Sequence, residues 1–169
     1  MVRGVWQNRT EAERTTVADL LDRYATEVLP NLKGGARESS RVRVLREALG
    51  KYSLTALSSA TIAQSRDMRL ASASRRGGKI SAQTVKHEMS LLHRALKKGA
   101  QEWGMTLPAG LPTALVKMPK LPKARDRRLQ GDEESRLLRE CGKAQNPWLL
   151  PVVRFAIETA MRAGEILQT

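Results

Sequence analysis

Apolar side chains recur along this chain at three- and four-residue intervals, and few stretches alternate apolar with polar at period two. The pattern predicts helices almost throughout, punctuated by glycine and proline, with no internal repeat. Thr15-Thr16 is expected to cap a first helix whose apolar positions Val17, Leu20, Leu21, Tyr24 and Val28 follow the 3.6-residue period. Asp19 sits where a carboxylate favours the positive helix start, and Pro30 is expected to close the helix. After the turn Lys33-Gly34-Gly35, a second helix is predicted over 36–49, with Val42, Leu45 and Leu49 as core stripe and Gly50 just past its end. Arg37, Arg41, Arg43 and Arg46 cover much of its remaining surface. Ser58-Ser59 opens a weaker third helix through Ile62 and Leu70 toward Ala73, broken by the basic loop Arg75-Arg76-Gly77-Gly78-Lys79. Ser81 caps the best-patterned helix, in which Val85, Met89, Leu92 and Leu96 keep one face and Gly104 ends the element.

The pattern then changes. Residues 108–128 carry Pro108, Pro112, Pro119 and Pro122 with a run of bases, as a linker stiffened locally by proline would. Asp132-Glu133-Glu134 begins a fifth helix with its acids at the favoured end. Asn146-Pro147 gives cap and first-turn signals for a sixth, with an apolar surface through Leu149, Val152, Val153, Ala156 and Ile157. The expected organisation is therefore a tail over 1–14, a helical domain over 15–107, a linker over 108–130 and a second unit over 131–169.

Charge sharpens this division. The net charge is +13, and residues 1–130 hold 25 of the 30 Lys+Arg against 11 of the 17 Asp+Glu, a net of +14. Residues 131–169 hold the other 5 and 6, a net of −1. Bases concentrated in one segment point to a polyanionic partner, whose binding falls steeply with salt as counterions are released. No helix joins a basic face to a broad aromatic one, which argues against a membrane surface. No apolar run approaches the roughly 20 residues that span a bilayer. Cys141 is the only cysteine, so neither a disulfide framework nor a cysteine metal quartet is available. A cytoplasmic setting is expected.

Candidate chemistry is sparse. The chain has no glycine-rich phosphate loop, no histidine pair at zinc-ligand spacing and no G-x-S-x-G turn. His87 and His93 point to different faces of one helix, and Asp132-Glu133-Glu134 reads as a helix start rather than a metal site. No metal, cofactor or small-molecule substrate is expected. Arg162 remains: a guanidinium in a first helical turn can offer two parallel donors to a phosphate and neutralise charge on its non-bridging oxygens. Glu165 could steady it, although Arg-x-x-Glu is also an ordinary helical pair.

The segment Thr159-Ala160-Met161-Arg162-Ala163-Gly164-Glu165-Ile166-Leu167 resembles the first catalytic-arginine box of tyrosine recombinases (phage-type integrases), departing at Ala160, where glycine is usual. Arg125-Asp126-Arg127-Arg128-Leu129 with Glu133-Glu134 is similar to the segment that opens the catalytic domain. Arg9-Thr10-Glu11-Ala12-Glu13, Asp22-Arg23-Tyr24 and Glu27-Val28-Leu29-Pro30 look like the start of the core-binding domain, and Ala100-Gln101-Glu102-Trp103-Gly104 like the close of its last helix.

The resemblance implies a mainly α fold: a SAM-like four-helix core-binding bundle, a basic linker, and the first helices of a truncated integrase catalytic domain. It implies double-stranded DNA as partner and a bacterial or phage mobile element as source; self-association is expected as a further mode because Ile166 and Leu167 would lack their usual sheet partner. Arg162 would be the first arginine of an incomplete site and Glu165 its support. A nucleophilic tyrosine and further catalytic groups would lie beyond Thr169, so the chain alone is expected not to cleave a strand. The DNA contacts expected are Arg41, Arg43 and Arg46 on the second helix, Lys86, Arg94, Lys97 and Lys98 on the fourth, and Lys120, Lys123, Arg125 and Arg127 in the linker. Residues 131–169 are expected to be less stable than 15–107, or to be rescued by self-association. Two alternatives stay open: a non-catalytic accessory or regulatory DNA-binding protein, and a helical protein-interaction module.

Overall fold

The computed structural model describes residues 14–74, 77–107, 110–123 and 126–167. Expectations placed on the tail before residue 14, and on Arg75, Arg76, Pro108, Arg125 and the last two residues, lie outside them. The chain is mainly helical and divides into two compact units, Met1–Pro122 and Lys123–Thr169.

In the first unit, α1 spans Val17–Glu27 and starts on a reciprocal cap. The Thr16 hydroxyl accepts from the Asp19 amide at 3.1 Å, while Asp19 accepts from the Thr16 amide at 2.8 Å. The Thr16 hydroxyl also donates to the Asp19 carboxylate at 2.6 Å, and that bond, followed by the one from the Thr16 amide, holds the Asp19 carboxyl below its usual pKa. The helix ends before Pro30, which sits inside a short 3-10 turn, Leu29–Asn31. Gly35 then opens α2 (Gly35–Leu49) for a steric reason: a Cβ there would lie 2.0 Å from the Leu29 carbonyl oxygen. Gly50 ends α2 with φ −56°, so its role is close approach to Ala18 rather than a left-handed turn.

Ser58 caps α3 (Ser59–Ala71) by accepting from the Thr61 amide. A tight excursion follows, closed by Ser74 N–H to Gly78 O and Ile80 N–H to Ser72 O, with Gly77 and Gly78 both at positive φ. Ser81 caps α4 (Ala82–Glu102), which buries Val85, Met89, Leu92 and Leu96 as its spacing predicts, together with Leu91, Ala95 and Gly99. Gly99 lets α1 come close, since a Cβ there would stand 2.8 Å from a Leu20 methyl. Gly104, at φ +67°, reverses the chain so that Met105 N–H returns to the Gly99 carbonyl.

The core joins Leu20, Leu21 and Tyr24 of α1, Val42, Leu45 and Leu49 of α2, Ile62 of α3 and the α4 stripe. Burial on this scale, at about 25 cal/mol per Å² of apolar surface, is what secures the helices. The first part of the proline-rich stretch also lies on this unit. Its 3-10 turn Pro112–Leu115 packs against α3 and α4, and Val116 joins the core. Thr113 is buried with its hydroxyl 2.8 Å from His93 Nδ1, and Arg66 donates to the Lys117 carbonyl at 2.6 Å.

The second unit holds α5 (Glu133–Gly142), α6 (Leu149–Thr159) and the short α7 (Ala163–Ile166). Asn146 Oδ1 accepts from the Trp148 amide just ahead of α6, and Pro151 falls in the first turn, where a missing N–H costs nothing. Burial is thin here. Cys141 is the only buried side chain among this unit's described residues, while Trp148 and Leu167 are more than 70% exposed.

Candidate nucleic-acid interface

A groove of about 1170 Å³ opens along α2 where it faces the Ala73–Ser81 excursion and the start of α4. Its walls are Arg37, Ser40, Arg41, Arg43, Val44 and Glu47 of α2, Arg69 of α3, Ala73, Ser74, Lys79 and Ile80, and Ser81, Thr84 and Glu88 at the head of α4. The local reason is spacing: positions 37, 40, 41, 44 and 47 recur by three and four, so one α2 face carries the lining opposite the Val42–Leu45–Leu49 core stripe. Five of the lining residues are cationic and two are acidic.

Carboxylates organise these cations. Glu88, only 5% exposed at its side chain, receives Arg69 through Nε at 3.0 Å and Nη2 at 2.9 Å, tying α3 to α4 at the groove floor. Glu38 spans the α2–α4 seam, with Arg94 Nη2 at 2.7 and 2.9 Å from its two oxygens and Arg41 Nη1 at 3.6 Å. The hydrogen bond to Glu38 raises the Arg94 pKa further above its ordinary value.

The sequence-predicted contacts divide accordingly. Arg41 and Arg43 line the groove, and Arg94 stands beside it on the seam. Arg46 turns toward α1 and pairs with Asp22 at 2.9 Å. Lys98 pairs with Glu102 one turn on. Lys86 and Lys97, by the helical step of about 100° per residue, share the side of α4 on which His93 meets Thr113. Lys120 is exposed near the end of the first unit and Lys123 is exposed at the start of the second, Arg125 lies outside the described residues, and Arg127 pairs with Glu133 in the second unit. Sequence reasoning left Arg37, Arg69 and Lys79 out of the contact set. The i, i+4 spacing of Arg37 and Arg41 could have flagged the first; Arg69 and Lys79 reach the groove only through tertiary packing.

Arg162 occupies the cap position of α7 with its side chain 87% exposed. Glu165 accepts from the Arg162 amide at 2.7 Å and lies 3.2 Å from its Nη1, so the pair closes on itself within one turn. Ala160, just before, is in the left-handed conformation at φ +55°. A residue with a Cβ pays about 1–2 kcal/mol there. The backbone at this turn thus favours glycine, although the sequence supplies alanine.

Comparison with known proteins places this geometry in context. No family model matches the chain, and no solved structure matches it. It is 36% identical over 156 residues to the shufflon-specific DNA recombinase of Escherichia coli, an alignment covering 91% of this chain and 40% of that protein. It is 32% identical over 161 residues to a Haemophilus influenzae protein named "Putative integrase/recombinase", covering 89% of this chain and 41% of that one. The chain therefore spans about 40% of the length of the curated relatives it matches. In both cases the similarity extends over most of this chain. No helix among the described residues is long and apolar enough to cross a membrane.

Proposed function

We propose that this chain is the DNA-binding portion of a site-specific tyrosine recombinase or integrase, acting on double-stranded DNA in the cytoplasm. Residues 15–107 form its SAM-like core-binding bundle, and the second unit is the opening of its catalytic domain. The observation that carries the reading is the α2 groove, where Arg37, Arg41, Arg43 and Lys79 gather on a surface whose core side is fully apolar. Such a surface suits the phosphate backbone, and its contacts position the protein rather than read sequence. Lys120, Lys123, Arg125 and Arg127, later in the sequence, are further candidate phosphate contacts.

Arg162 is the first catalytic arginine in this reading, with Glu165 holding it until substrate arrives. A guanidinium stabilises charge on a phosphoryl group but supplies no covalent step of its own. Tyr24 is 3% exposed within the core and Tyr52 packs against that core, which supports reading neither as a nucleophile. These residues are thus a DNA grip and one element of a phosphate site, not competent for cleavage alone.

The test is salt-titrated binding to duplex DNA. The chain should lose affinity steeply as salt rises. Replacing Arg37, Arg41 and Arg43 by Gln should flatten the slope of log K against log salt by about 2 to 3, at roughly 0.9 per phosphate contact. Removing the same number of charges at Lys33, Lys51 and Arg139 should change it far less. Equal effects of the two triple variants would reduce the groove to a generic positive surface.

A further inference from the structure

Arg94, beside the groove, is committed to a carboxylate in a second helix. One of its nitrogens lies within hydrogen-bond distance of both Glu38 oxygens, and Glu38 comes from α2, 56 residues earlier in the chain. Glu38 is 15% exposed at its side chain and Arg94 45%, so the carboxylate is the sheltered partner and the guanidinium the one that solvent and ligands can reach. Arg41, at 3.6 Å from the same oxygen, feels the same negative charge while lining the groove. One carboxylate therefore faces two guanidiniums, and the three together carry a single net positive charge.

A phosphate approaching Arg94 meets that carboxylate at hydrogen-bond range from the nitrogen it would need. Both anions draw on the same guanidinium, whose Nη2 the carboxylate already holds, and like charges at such separation repel. On the DNA-binding reading above, we propose that Glu38 is a built-in competitor for phosphate: it occupies Arg94 and lowers the affinity of the α2–α4 seam for duplex DNA. Glu88 is different. It is buried against its arginine, so it fixes a wall of the groove rather than standing between a cation and solvent.

Glu38→Gln keeps the shape and removes the charge. It should bind duplex DNA about 3- to 10-fold more tightly at low salt, with a log–log salt slope steeper by about 1. The gain should be the same for unrelated duplex sequences, because phosphates carry no sequence information. Adding Arg94→Gln to Glu38→Gln should remove most of the gain, leaving only the part owed to Arg41, and a merely structural role for Glu38 would give neither the steeper slope nor this reversal. Circular dichroism checks that the variants are folded. The wild-type chain gives a reading independent of any variant: the Arg94 side-chain N–H signals should stay in place when duplex is added, while those of Arg37 and Arg41 move. A Glu38→Gln affinity equal to or below wild type, or an Arg94 signal that moves with DNA, overturns the inference while leaving the DNA-binding reading intact. If wild type shows no salt-dependent binding at all, that reading fails first and the inference falls with it.

Discussion

Cutting the Glu88–Arg69 pair tests whether the groove floor is held by a sheltered ion pair. Glu88 is 5% exposed and Arg69 30%, and three charge-assisted contacts of 2.9, 3.0 and 3.2 Å join them across 19 residues of sequence. Breaking a fully buried pair costs about 3–5 kcal/mol because the stranded charge stays out of water. Here Glu88→Ala strands Arg69, which keeps access to solvent, so the loss should fall to about 2 kcal/mol, near the worth of one strong charged hydrogen bond. For a unit of this size that lowers the melting temperature by roughly 8–16 °C. Glu88→Gln, which keeps one acceptor, should cost about half as much. Thermal unfolding followed by far-ultraviolet circular dichroism measures both. A loss below about 0.5 kcal/mol for Glu88→Ala would mean that the pair contributes no more than an exposed surface contact.

Further outcomes follow from the caps and turns. Thr16→Ala should cost about 1 kcal/mol at neutral pH. The Thr16 hydrogen bonds depress the Asp19 pKa, so their contribution is present above about pH 4 and is lost as pH falls through the folded-state value; melts across pH should show the wild-type advantage narrowing in acid. Gly35→Ala drives a Cβ against the Leu29 carbonyl and should destabilise by more than about 2 kcal/mol, whereas Gly34→Ala, with nothing within 4 Å, should stay within about 0.5 kcal/mol. Ala160→Gly relieves a left-handed alanine and should stabilise the second unit by about 1 kcal/mol, read as slower amide exchange in α6 and α7.

Local signals were the legible ones. The Thr16–Asp19 cap, the Ser58 and Ser81 caps and the α4 stripe each depend on residues within a turn or two of one another, and all can be read from spacing. The groove was half legible. Arg41 and Arg43 follow from a basic helix surface, but Arg46 spends its charge on Asp22 of another helix, which no local pattern announces. Lys79 and Arg69 reach the groove only through tertiary packing, Lys79 bridged to Ala73 and Arg69 held by Glu88 of α4. Glu88 did carry a signal: an acid three residues after Val85 and one before Met89 sits on the edge of a core stripe, where a buried charge demands a partner. Likewise Leu111 and Val116 bracket the Pro112–Leu115 turn with apolar side chains that pack on the core, a docking that proline content alone conceals.

The central claim is that DNA lies along α2 and the head of α4. Amide hydrogen exchange of the whole chain, with and without duplex DNA at low salt, tests it most directly. The account predicts new protection concentrated in residues 35–47, 73–81 and the first turns of α4, vanishing as salt rises. Protection confined to the His93–Thr113 side of α4, or none anywhere in the first unit, would contradict it.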